Sequence, residues 1–134
     1  MAITKDALYL SLLDNVRGRV VRFDFDNGKW ASKPIELPQN ATIGIAAADD
    51  ESGQVMFTST DFLTPPQLYF SDGTSDPTII KTSPSRFDAD GLAISQFEAT
   101  SKDGTKIPYF VVSKKGARLD GSTPTLLYGY GGFQ

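Results

Sequence analysis

Ile43-Gly-Ile-Ala-Ala-Ala48, Gln54-Val-Met-Phe-Thr-Ser-Thr60, Gln67-Leu-Tyr-Phe-Ser71 and Pro77-Thr-Ile-Ile-Lys-Thr82 follow one another as four short runs. Most of their residues suit a pleated, half-buried surface. Asp49-Asp-Glu-Ser-Gly53, then Leu63-Thr-Pro-Pro66, then Asp72-Gly73 break them apart. These breaks are turn chemistry, and they are too short for a parallel crossover. The runs therefore predict four antiparallel strands in up-and-down order. Four such strands in about forty residues have the length and content of one propeller blade. The first run is so compact and apolar that it should be buried on both faces or lie against another sheet.

Upstream the spacing is similar. Ala7 to Leu13 is an apolar run, and Asp14, Asn15 and Gly18 mark a turn. Arg19 to Phe25 alternates, with Val21, Phe23 and Phe25 on one face and Arg22 and Asp24 on the other. Asp26-Asn27-Gly28 is a hairpin signal. Trp30 to Leu37 carries Pro34, which places it at an edge. This reads as a three-stranded meander, most of a preceding blade. A plain β-sandwich is the competing architecture.

Downstream, Ser83-Pro-Ser-Arg-Phe-Asp-Ala-Asp-Gly91 is polar and without period, a domain boundary. Leu92 to Thr100 and Lys106 to Ser113 flank Lys102-Asp-Gly-Thr105 and predict a hairpin. In its second strand Ile107, Tyr109 and Val111 share one face and Phe110 and Val112 the other. A polar loop over residues 114–123 follows. The chain closes on Thr125-Leu-Leu-Tyr-Gly-Tyr-Gly-Gly-Phe-Gln134, which predicts a buried strand through Tyr128 that breaks into glycines. Glycine permits positive φ and close backbone approach. The side chain left among the glycines is Tyr130, a neutral hydroxyl donor at pH 7. The arrangement suits a hydrogen-bond donor held beside an apolar pocket. No segment has a helical period, so the expected fold class is mostly β.

Composition narrows the function. The chain has 134 residues, 40% hydrophobic and 22% charged, ordinary for one globular domain. Net charge is −3 and the longest basic run is two residues, which argues against nucleic acid or an anionic membrane as partner. No apolar run approaches the roughly 20 residues that span a bilayer, and no signal peptide is visible at Met1. There is no cysteine, so no disulfide framework and no thiol nucleophile, which fits a reducing compartment. There is no histidine either. A Ser–His–Asp or Cys–His site cannot be built from this chain alone, nor can the common zinc sites.

Ser101-Lys-Asp-Gly-Thr-Lys-Ile-Pro108, Lys114-Lys-Gly116, Leu119-Asp-Gly121 and Leu127-Tyr-Gly-Tyr-Gly-Gly-Phe133 together resemble the prolyl oligopeptidase family of serine peptidases. The close match covers about a third of the chain. The first and last of these motifs at this separation carry its specificity. In that family a seven-bladed β-propeller precedes an α/β-hydrolase domain. The resemblance implies that residues 1–83 are the last two blades, 84–91 a linker, and 92–134 the opening strands of a truncated hydrolase domain. It implies an endopeptidase that cleaves short peptides after proline through an acyl-enzyme, with no cofactor. The serine, aspartate and histidine would all follow the glycine loop in chain order, so the fragment alone is expected to be inactive. Tyr130 matches the family's oxyanion donor. Phe133 matches the aromatic at the edge of the pocket for the substrate proline. The implied parent is a cytoplasmic monomer acting on peptides, with periplasmic or secreted location left open.

Plainer readings stand beside these. Tyr130 could be a strand-end tyrosine with a solvated hydroxyl, and Phe133 a core residue. Tyr128 reads as structural, packing at the strand end. Asp49, Asp50 and Glu51 read as a solvated turn and not a metal site. The Arg19/Arg22 and Lys114/Lys115 pairs read as solvated faces. Ser101 and Ser113 lie in no Gly-x-Ser-x-Gly and have no base. At the level of function, the alternatives are a non-catalytic β-rich binding module and a basic-residue-specific oligopeptidase.

Overall fold

Runs of β-branched and aromatic residues separated by Asp, Asn and Gly leave this backbone little choice but to turn back on itself. The computed structural model describes residues 1–131. Its first sheet is β1 (Ala2–Ile3), β2 (Ala7–Asp14), β3 (Arg17–Asp26) and β4 (Lys29–Pro34), in that spatial order. Its second is β5 (Thr42–Ala48), β6 (Val55–Thr60), β7 (Gln67–Ser71) and β8 (Thr78–Thr82), again in order. β9 (Leu92–Thr100) and β10 (Lys106–Lys114) form a separate hairpin. All pairings are antiparallel. The second set matches the expected four strands. The first set gains a strand, because the two residues of β1 pair with Leu8 and Tyr9 and complete a four-stranded meander. β4 is an edge strand, a position that tolerates Pro34, and it stops short of the expected Leu37, although the Ile35 N–H still donates to the Val20 carbonyl at 2.9 Å.

The core lies between the two sheets. Tyr9 and Val20 from the first sheet meet Ile43, Val55, Phe57 and Tyr69 from the second, with Ala7 and Ala41 filling gaps. Tyr9 and Phe57 pack with ring centroids 5.9 Å apart at 57°. Each such side chain fully removed from water contributes roughly 1.5–3 kcal/mol. β5 accordingly lies against another sheet and is not covered on both faces: Ile43 is buried while Ala46 and Ala47 are exposed.

Two expectations about β3 are corrected. Gly18 does not sit in the turn. It is buried inside the strand, where a Cβ would meet the Ile43 nitrogen at 2.6 Å and the Ala41 carbonyl oxygen at 2.8 Å. Its own N–H donates to that carbonyl at 3.0 Å. A glycine is needed because the two sheets touch there backbone to backbone. Arg22, in turn, is not on a solvated face. Its side chain is 14% exposed and pairs with Asp24 at 2.7 Å. It donates to the Tyr9 hydroxyl at 3.2 Å and to the Gly73 carbonyl in the β7–β8 turn of the second sheet. The packed face of β3 is thus Gly18, Val20, Arg22 and Asp24. Phe25 lies on the opposite face, exposed, against Trp30 of β4 at 4.9 Å.

The strand expected through Tyr128 is absent: residues 125–131 are irregular, and Leu126, Leu127 and Tyr128 are exposed. A strand exists only where a neighbour takes up its N–H and C=O groups. Among the described residues no strand runs beside this one.

Candidate functional site

Tyr130 lies on this irregular segment. Its side chain is 81% exposed, and its hydroxyl has no hydrogen-bond partner among the described residues. A Cβ added to Gly129 or Gly131 would meet nothing within 4 Å. Their small size answers to no contact within the described chain. Tyr128 does not pack at a strand end. Phe133 lies outside the described residues. Of the two candidate site residues the structure describes Tyr130 alone, with no partner at its hydroxyl among the described residues.

What it does assemble is the end of the sheets where the chain crosses over. The β6–β7 loop is pinned by Asp61, whose carboxylate accepts the Leu63 and Thr64 N–H groups at 2.7 Å each. The Ser83 N–H donates to the Pro66 carbonyl at 2.9 Å as the chain departs. Between this loop and residues 83–87 lies an open cleft of about 610 Å3, lined by Asp61, Phe62, Pro66, Pro84, Arg86 and Phe87. The chain then returns as the β9–β10 hairpin, whose Asp103 caps the turn by accepting the Thr105 N–H at 3.0 Å.

The hairpin reaches back to the sheets. The Gln96 side chain donates to the Asn15 carbonyl at 2.8 Å and accepts from Arg17 Nε. The Asn15 side chain donates to Glu98 at 3.4 Å. Phe110 packs on Phe62 with centroids 5.6 Å apart. None of these pairs was legible in the sequence. Gln96 and Asn15 are ordinary polar residues, 81 positions apart. Only Phe110 carried a signal, as an aromatic on one face of a predicted strand.

The electrostatics are those of caps and one clamp. Asp49 accepts from the Ser52 hydroxyl and the Glu51 N–H, which hold its carboxyl below the ordinary range. This is the solvated turn the sequence predicts. Asp72 is held low by the Ser75 and Thr74 N–H groups and the Thr74 hydroxyl. Burial pushes the Tyr9 hydroxyl above its ordinary value, with Arg22 opposing. The hydrogen bond to Asp24 raises Arg22 further. Among the described residues no group of three or more acidic or other metal-ligating side chains gathers.

Two four-stranded meanders packed face to face, each joining only sequential strands, fit two neighbouring blades of a β-propeller and equally a small β-sandwich; the comparison with known families decides between them. A family profile for the prolyl oligopeptidase N-terminal β-propeller domain matches residues 1–83. The chain belongs to the prolyl oligopeptidase family. It is 50% identical over 132 residues to an uncharacterized peptidase, y4nA, of Sinorhizobium fredii, covering 98% of this chain and 18% of that one. Among solved structures it resembles a post-proline cleaving enzyme from Rickettsia typhi at TM-score 0.75 and 40% identity, over 99% of this chain and 19% of that one. A prolyl endopeptidase structure matches at TM-score 0.80 and 30% identity, over 98% and 19%. The chain thus spans under a fifth of the length of these relatives.

Proposed function

We propose that this chain is part of a serine-type endopeptidase that hydrolyses short peptides after proline through an acyl-enzyme, without a cofactor. Residues 1–83 contribute about two blades of a seven-bladed propeller, 84–91 the linker, and 92–134 the first strands of an α/β-hydrolase domain. The two sheets support the blade division, each closing as a four-stranded meander before Ser83. The observation that carries the reading is the likeness to the Rickettsia typhi post-proline cleaving enzyme, which extends beyond the propeller match across 99% of the chain.

In this reading Tyr130 donates its hydroxyl to the oxyanion of the tetrahedral intermediate. A neutral donor aimed at developing charge in a water-poor cleft typically contributes about 2.7–4 kcal/mol to the transition state. Phe133 lies at the edge of the pocket for the substrate proline. The exposure of Tyr130 is consistent with a side chain whose partners are supplied by other parts of the protein. The parent acts in the cytoplasm as a monomer, on peptides and not on nucleic acid or membrane.

Two measurements test this. The full-length protein should release chromophore from a Gly-Pro chromogenic substrate and should be inactivated by a fluorophosphonate that labels one serine. The 134-residue chain should do neither, having no histidine to act as base. A full-length protein that resists the fluorophosphonate, or a 134-residue chain that turns the substrate over, would overturn the proposal.

A further inference from the structure

We propose that the β9–β10 hairpin is a clasp across the seam between the two four-stranded sheets, so that undocking the hairpin opens the seam at that end. The clasp stands on the described contacts and does not depend on the catalytic reading.

Phe110 and Gln96 are register partners, directly opposite each other in the hairpin, and so share one of its faces. Gln96 grips the first sheet, through the Asn15 carbonyl and Arg17. Glu98, two residues along β9 on the same face, adds the Asn15 side chain. Phe110 grips the second sheet, through Phe62 of the β6–β7 loop. One cross-strand pair therefore touches both sheets.

Between the two grips lies a cavity of about 270 Å3 lined by Val16, Asn40, Ala41, Thr42, Phe62 and Phe110. It is an open cleft along the seam, and Phe110 is the hairpin residue that lines it. The seam's own backbone bond at this end, from Gly18 N–H to the Ala41 carbonyl, lies beside it. The side-chain oxygen of Asn40 is buried with no hydrogen-bond partner among the described residues. The sheets are thus incompletely packed at this end, and the hairpin spans the gap.

The turn that is gripped is itself strained. Asn15 has φ 48° and Val16 φ 59°. A β-branched residue in the left-handed region is costly. This turn directs the Asn15 carbonyl and the Arg17 side chain toward the same Gln96. Docking gives the strained geometry three hydrogen bonds to the hairpin.

The test is hydrogen exchange followed by mass spectrometry on the full-length protein. Gln96→Ala and Phe110→Ala should each speed exchange several-fold in residues 16–20 and 40–44, together with residues 92–114. Because the two side chains act through one rigid hairpin, the double variant should exceed the stronger single variant only slightly. Lys102→Ala, at the hairpin's far turn, should change nothing at the seam. Gln96→Glu keeps the acceptor for Arg17 and loses the donor for Asn15, so it should give a smaller effect of the same pattern even if the alanine variants fail to fold. Faster exchange confined to residues 92–114, with 16–20 and 40–44 unchanged, would overturn the clasp. So would a seam that loosens equally in Lys102→Ala.

Discussion

Residues 2–82 and residues 115–131 obey the same backbone chemistry and end differently. In the first region every strand has a neighbour, and the two sheets bury Tyr9, Val20, Val55 and Phe57 between them. In the second, Leu126, Leu127 and Tyr128 have the composition of a strand and lie exposed without one. The difference is not propensity. The sheet pair carries its partners within the described chain, and the motif segment does not. A meander is legible because its contacts are local in sequence. A site motif gains meaning from groups that the fold brings to it from elsewhere.

The largest expected break of this contrast is in the sheet pair. Phe57→Ala removes the most deeply buried aromatic and leaves a cavity against Tyr9. The local opening free energy of β6, read from native-state hydrogen exchange, should fall by about 3–5 kcal/mol. Leu127→Ala, an equally apolar truncation in the exposed segment, should leave β6 unchanged. Equal effects would mean that the segment packs on the sheets.

A middle-sized effect belongs to the clamp. Arg22→Ala frees the Gly73 carbonyl, the Tyr9 hydroxyl and Asp24 at once. A loss of about 1–3 kcal/mol at the β7–β8 turn is expected, the cost of leaving part-buried polar groups unpaired. Asp24→Ala should lose less, because Arg22 keeps its other two acceptors. An Asp24 variant that loses more would make the ion pair, and not the bridge to Gly73, the stabilising contact.

The smallest effect is one the two regions share. Asp72 in the β7–β8 turn of the second sheet is held low chiefly by the Ser75 N–H, and Asp120 in the exposed segment chiefly by the Ser122 hydroxyl. Both caps are local, so neither needs the core. A lowered folded value means that each turn's stabilisation is present above the ordinary carboxylate value of 3.8 and is lost as pH falls below it. A carboxyl-carbon NMR titration should place both midpoints below 3.8. An Asp120 midpoint at the ordinary value would show that its turn does not persist in solution.

Much of the fold was legible because its signals are short-range. Asn27-Gly28 adopts φ 50° and 77°, the left-handed pair a two-residue hairpin requires. The strands of the second sheet fall within a residue of the periodicity. Gly18 and Arg22 were misread for one shared reason. Each looks like a surface or turn residue in isolation, and each is fixed by a contact with the other sheet, Gly18 with Ala41 and Ile43, Arg22 with Gly73. The alternation that puts Val21, Phe23 and Phe25 on one face and Arg22 and Asp24 on the other was legible, yet alternation alone does not say which face is packed. The site was legible only as a motif. Tyr130 stands out because glycines surround it, and nothing in the described chain gives its hydroxyl a target.

The most direct test of the central claim is Tyr130→Phe in the full-length protein, assayed on a proline-containing peptide substrate. The substitution removes one hydroxyl and little else. If Tyr130 donates to the oxyanion, kcat should fall about 100- to 1000-fold with KM little changed, since the bond is made chiefly in the transition state. An unchanged kcat would contradict the account and return Tyr130 to the role of a solvated tyrosine.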